Sequence, residues 1–159
     1  MSATNITPTT RFFAPNVTRV VFCTSVAVKT APTRSEINAG TDLSNEVNAT
    51  NGWSVGSNLI DAPDLGTLFT SKVAGRTESP DSSLTMYQSL NNVDARSLLP
   101  RTTTGFILIM WGGDVTGRKM DVFPVTVSSV AKNLDDNKAS DMQINFAITS
   151  QPAEDVTIP

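Results

Sequence analysis

The chain has 159 residues, 39% of them hydrophobic and 17% charged, which suits one globular domain with a sizeable core. Twelve Lys and Arg stand against fifteen Asp and Glu, so the net charge of -3 excludes a broad electrostatic grip on phosphates. The absence of histidine removes Ser-His and Cys-His catalysis and most zinc sites, and a single cysteine excludes a disulfide within the chain.

Residues 1–16 are rich in Thr and Pro and lack periodicity, which predicts an extended arm ordered by contact with something else. They have neither the basic start nor the apolar core of a secretory signal, so folding in a cytoplasm is expected and the Asn-X-Thr triplets at Asn5, Asn16 and Asn48 read as chance. Residues 17–25 form a first strand with Cys23 in its core face. Thr33 and Glu36 make a capping box, and Gly40 ends a short helix that turns Ile37 inward. Residues 40–62, dominated by Asn, Ser, Thr, Asp and Gly, predict a long structured loop with one short strand around Trp53.

Two segments, 68–78 and 83–90, flank Ser79-Pro80-Asp81-Ser82 and predict an antiparallel hairpin. Phe69, Val73, Leu84 and Met86 would share the core, with Lys72, Arg76 and Glu78 on the opposite face. Residues 92–99 read as a helix capped by Asn91 or Asn92 and anchored by Val93, Leu98 and Leu99. The longest apolar run, 104–111, closes at Gly112-Gly113 and reads as a central strand covered on both faces, with Phe106, Leu108 and Trp111 in the core. After it come a strand over 119–130, which Pro124 must bend or break, and a cleanly alternating strand over 141–149. The fold class is mostly β: an antiparallel β-sandwich of two packed sheets, six or seven strands and one or two short helices, in one domain over 1–159.

No pattern in the chain carries catalysis, a cofactor or a metal. Asp135, Asp136 and Asp141 lack the Gly and terminal Glu of a calcium loop. Residues 112–119 lack the Gly-Lys-Ser/Thr step of a phosphate loop. The pairs Glu154-Asp155 and Glu78 with Asp81 have no apolar surroundings to raise a carboxyl pKa. Such a chain is built as a part rather than a catalyst.

The order of its features resembles that of the major tail tube proteins of long-tailed siphophages, particularly those infecting actinobacteria. The resemblance lies in residues 31–43 (APTRSEINAGTDL), 71–84 (SKVAGRTESPDSSL), 92–99 (NVDARSLL) before Gly105, and 121–127 (DVFPVTV). It implies the tail tube fold, six copies closing into a ring, and rings stacked into the tube of a virion tail assembled in the host cytoplasm. Its partners would be itself, the tape measure protein, and the tail tip and tail terminator proteins. DNA would be present only in transit, with no membrane and no catalytic residues. A capsid-decorating or receptor-binding β-sandwich of the virion surface is the alternative.

Two expectations follow from the residues once a tube is supposed. A lone antiparallel sandwich has exposed edges, which pairing with identical neighbours removes. A wall that DNA slides along must not hold phosphates, and the polar face of the last strand, Asp141, Gln143, Asn145 and Thr149, is the candidate for lining the lumen.

Overall fold

The computed structural model describes residues 3–92 and 94–159. Among them are ten strands, every pairing antiparallel, and two short helices. In chain order these are β1 (Arg19–Cys23), α1 (Arg34–Ala39), β2 (Thr41–Asp42), β3 (Val47–Asn51), β4 (Gly56–Ala62), β5 (Ser71–Glu78), β6 (Ser82–Tyr87), α2 (Ala95–Leu98), β7 (Thr104–Met110), β8 (Lys119–Asn133), β9 (Asp141–Ile148) and β10 (Ala153–Thr157). Hydrogen bonding runs β2-β1-β7-β8-β9-β6-β3, with β10 beside β8, while β4 and β5 pair with each other in a separate sheet.

The burial pattern explains why this sheet does not lie flat. Val20 and Phe22 of β1, Ile107 and Ile109 of β7 and Phe123 of β8 form one buried cluster with Leu84 and Met86 of β6 and with Met142, Ile144 and Phe146 of β9. The helical cover on that cluster comes from α2, four residues long, through Ala95 and the adjoining Leu99. So wide an apolar face stays dry only if the two halves of the sheet cover each other, which makes the two layers of the sandwich. The opposite side of β1 and β7, with Val21, Cys23, Leu108 and Met110, is covered by Ile37 of α1 and by Val156 and Ile158. That double burial is what the unbroken apolar run of β7 requires.

Gly105 marks the tightest approach between neighbours: a Cβ there would stand 2.6 Å from the Phe22 ring and 2.7 Å from the Cys23 carbonyl oxygen. The α1 capping box is present, with Thr33 and Glu36 each holding the other's backbone N–H, and the helix ends at Gly40.

Pro124 neither breaks nor ends β8, which runs fifteen residues through it. On one side β8 pairs with β7 throughout 121–126. On the other it pairs with β10 up to Val122 and with β9 from Val125 onward. Pro124 accepts from the Thr149 N–H at 3.0 Å on that second side. Its missing N–H therefore faces the seam between two partner strands, where no ladder bond is lost.

Several expectations are corrected. Residues 40–62 are not a long loop: they hold β2, β3 and β4, and Trp53 lies between β3 and β4 as a buried plug rather than on a strand of its own. Its ring meets Phe123 edge-on at 5.1 Å and Phe146 at 5.5 Å, and its indole N–H donates to the Ser83 carbonyl at 3.0 Å. The expected hairpin across 79–82 does not form, because β5 pairs with β4 and β6 pairs with β3 and β9. Leu84 and Met86 are core residues, whereas Phe69 and Val73 are exposed. The cap of α2 is Asp94 rather than Asn91 or Asn92; its carboxylate accepts from the Arg96 N–H at 3.0 Å, while Asn92 sits at φ 59 and ends the preceding turn. Val93 lies outside the described residues.

Of the three expected core residues of the central strand, Leu108 is fully buried and Phe106 is half-buried against the outer cluster. Trp111 is 41% exposed, one residue past the end of β7, with its indole N–H donating to the Asp121 carboxylate at 2.6 Å. Parity alone put it in the core; the strand ends before the opposite layer can cover it. Trp53→Ala is therefore expected to destabilise the fold by about 3–5 kcal/mol. Trp111→Ala should cost about 1 kcal/mol or less. Denaturant melts of the two variants measure the difference, and equal losses would contradict this packing.

Candidate assembly and lumen surfaces

The alternation of β9 sends Met142, Ile144 and Phe146 into the core and leaves Gln143 and Asn145 on the outer face. Register then decides their neighbours. Gln143 stands between Thr85 of β6 and Ala131 of β8, and Asn145 between Ser83 and Ser129. Beyond β6, β3 adds Ala49 opposite Thr85 and Asn51 opposite Ser83. These two four-strand rungs hold small or polar uncharged side chains throughout.

The polar groups satisfy one another along the surface. The Gln143 amide donates to Asn145 Oδ1 at 3.0 Å, the Asn145 amide donates to Ser129 Oγ at 2.8 Å, and Ser128 donates to the Asn145 carbonyl at 3.0 Å. A side chain already hydrogen-bonded to its neighbours has fewer free donors to offer a passing phosphate.

Asp141, expected on the same wet face, is instead buried. Its carboxylate accepts from Lys138 Nζ at 3.0 Å and Asn133 Nδ2 at 3.0 Å. These two hydrogen bonds, Lys138 first, hold the Asp141 carboxyl below its ordinary pKa. The burial has a physical cause: Asp141 opens β9 where the chain returns from the 134–140 turn, and Lys138 of that turn folds back over it. Thr149 lies just past β9, exposed, with its N–H tied to Pro124. Of the four lumen candidates, Gln143 and Asn145 share a surface, Asp141 is an ion-paired support beneath its edge, and Thr149 stands at the far end.

Nothing in the sequence pattern marked the other prominent surface. The β4–β5 hairpin exposes Leu59, Ile60 and Val73 on its strands and Leu65, Leu68 and Phe69 around its turn. Its geometry is nonetheless ordered: Asp61 pairs with Lys72, and Asp64 accepts from the Gly66 N–H at 2.8 Å. A two-stranded hairpin is marginal alone, and apolar groups in this number without cover mark an interaction surface. Residues 3–16 are also exposed, with Ile6, Phe12 and Phe13 outward.

Among the described residues no group of three His, Cys, Asp or Glu side chains could hold a metal ion, and no helix is long and apolar enough to cross a membrane. The pairs Glu154-Asp155 and Glu78 with Asp81 lie exposed. The architecture around these surfaces is an antiparallel β-sandwich. Over residues 6–159 the sequence matches the family described as phage tail tube protein, and the chain belongs to that family. It is a structural protein of the phage tail.

Solved structures agree on the fold. A chain of the sheath/tube terminator of an extracellular contractile injection system (PVC), in its extended state, superposes with a TM-score of 0.62 at 11% identity, covering 91% of this chain and 97% of that one. A chain of the sheath-tube complex of the same system gives 0.57 at 11% identity, covering 86% of each. A chain from the tail of an empty gene transfer agent particle, refined helically with C6 symmetry, gives 0.53 at 10% identity, covering 87% and 93%. No curated protein matches the sequence.

The Asp141 ion pair has a pH signature. With its folded pKa depressed, Asp141 stabilises the fold above the ordinary Asp pKa of about 3.9, and that contribution fades as pH falls through the lower folded value. Asp141→Asn should therefore be less stable than the parent at pH 7, with the gap closing toward pH 3 in urea titrations. A gap independent of pH would mean that charge is not its source.

Proposed function

We propose that six copies of the chain, each folded as one tail tube domain over residues 1–159, close into a ring. Rings then stack into the tube that conducts DNA from the capsid of a long-tailed siphophage to the host cell. The observation that carries this reading is the uncharged face of β3, β6, β9 and β8 around Gln143 and Asn145. Double-stranded DNA carries one charge per about 1.7 Å, and a wall of Lys and Arg would hold it by releasing counterions. A wall of Ala, Ser, Thr, Asn and Gln offers no such grip, so this face lines the lumen.

The remaining surfaces suit the same assembly. The apolar hairpin β4–β5 and the arm 1–16 reach neighbouring subunits, and the free edges of β2 and β3 at the ends of the sheet are masked on ring closure. The gene transfer agent tail with its C6 symmetry, and the tubes that meet sheath and terminator in the injection system, support six-fold rings and stacking. The partners are further copies, the tape measure protein, and the tail tip and terminator proteins. The protein is synthesised and assembled in the host cytoplasm, has no enzymatic activity and binds no cofactor.

Negative-stain images of concentrated protein mixed with its cognate tail tip should show hollow tubes of six-fold rings. A chain that stays monomeric under those conditions would sink the proposal.

The lumen assignment is tested separately by Gln143→Lys with Asn145→Lys. Tubes should still form, but DNA ejection should slow, more so at low salt where phosphate attraction is least screened. Ejection at the parental rate at low salt would move the wall to another face.

A further inference from the structure

Beside Trp111 lies a groove of 520 Å³ that meets the lumen rungs only at Ala49 and does not involve the hairpin. Val20 and Ile109 lie behind it, already buried in the core, and Trp111, 41% exposed, is its accessible apolar lining, with its ring fixed by the bond to Asp121. One wall is β3, which contributes four successive residues, 47–50. The β3 register shifts at a bulge between Val47 and Ala49, which turns this stretch of the strand toward the groove. The outer edge of β3 is open, since β3 ends the sheet with β6 on its other side.

Ala14 and Pro15 stand on the rim of the same groove. The Val17 and Thr18 N–H groups donate to the Ala14 carbonyl at 3.0 and 2.9 Å, and Asn16 takes φ 67, a closed turn at the root of the arm. Residues 3–13 lie outside the groove and are exposed, including Ile6 at 90% and Phe12 at 57%. Extended, this arm puts Ile6, Pro8, Thr10 and Phe12 on one side, and Thr7, Thr9, Arg11 and Phe13 on the other. A single Pro within it is compatible with an added strand if its missing N–H faces away from β3.

The geometry points to this groove as the receptor for the N-terminal arm, residues 3–13, of a second copy. The arm pairs along the open edge of β3 and sets Ile6 and Phe12 against Trp111 and the half-buried Val47. A chain's own arm begins at the rim and is turned outward by Asn16, so reaching its own groove would require that turn to open. A neighbour's arm meets no such obstacle. Donor and receptor surfaces differ, so the contact is head-to-tail, the kind that generates rings or helical stacks. The inference rests on the self-assembly reading above and names one of its contacts.

The test uses the chain lacking residues 1–13 and a synthetic peptide of residues 3–14, which contains no tryptophan. Titration should give a saturable blue shift of tryptophan emission that disappears in Trp111→Phe. A peptide carrying Ile6→Asp and Phe12→Asp should bind at least about tenfold more weakly. No saturable shift would overturn the inference. In the full chain, Phe12→Cys with Thr50→Cys should give disulfide-linked dimers and higher species on oxidation. A purely intramolecular bond would show that the arm fills its own groove and would overturn the assignment to a second copy.

Tube formation separates this inference from the reading it rests on. Normal tubes from the full-length Phe12→Asp variant would reject the arm contact and leave the tail tube reading standing. Peptide binding and intermolecular cross-links in a protein that never forms tubes with its tail tip would reject the tube and keep the groove.

Discussion

Strand β8 is the member on which both layers depend. Its first half holds β7 and β10, its second half holds β9, and β7 accompanies it across the junction. A sandwich whose two layers share one strand keeps a continuous ladder of backbone hydrogen bonds around the core. The cost falls at the seam, where one strand must change partners. The chain places at that point the one residue type that has no N–H to lose, Pro124. A proline in a central strand ordinarily argues against the strand; here it marks where two neighbours meet.

Around that strand the side chains divide the molecule into regions with different chemistry. Inside, the aliphatic and aromatic residues of β6, β7, β8 and β9 are close to fully dry, with Trp53 sealing the end of the cluster against Phe123 and Phe146. Outside, β3, β6, β9 and the second half of β8 present a neutral polar face, whereas the outer side of β7 is buried a second time. Many of the apolar groups that a monomer should hide are instead on the β4–β5 hairpin and the arm. A monomer built for solubility alone would not expose Leu65, Leu68 and Phe69 together. Exposure of this kind marks an interaction surface.

Electrostatics plays a supporting part. Asp94 holds α2 at its start, and hydrogen bonding from Arg96 lowers its pKa to about 2. Asp141 secures the start of β9 through Lys138 and Asn133. Both acids sit beside turns that the polar composition makes floppy, and each is matched by a cation within three residues. Each pair is neutral in sum, so the net charge of -3 is carried by other groups.

The sequence by itself determined what local chemistry controls. The capping box of Thr33 and Glu36, the doubly buried run of β7 and the two-faced pattern of β9 were all legible, because each rests on spacing within a few residues. So was the family, from several short stretches in order. What tertiary structure decided was partnership and ends. The turn at 79–82 reads like a hairpin, yet β5 leaves the sandwich to pair with β4, since pairing is a competition among all strands and the turn is one term in it. Residues 40–62 read as loop because their strands lie at edges and exposed positions, where hydrophobic alternation is not required. Trp111 follows core parity but outruns the layer that would cover it, and Asp141 follows surface parity but is closed over by Lys138. Periodicity tells which way a side chain points; only the packed neighbours decide whether anything is there to meet it.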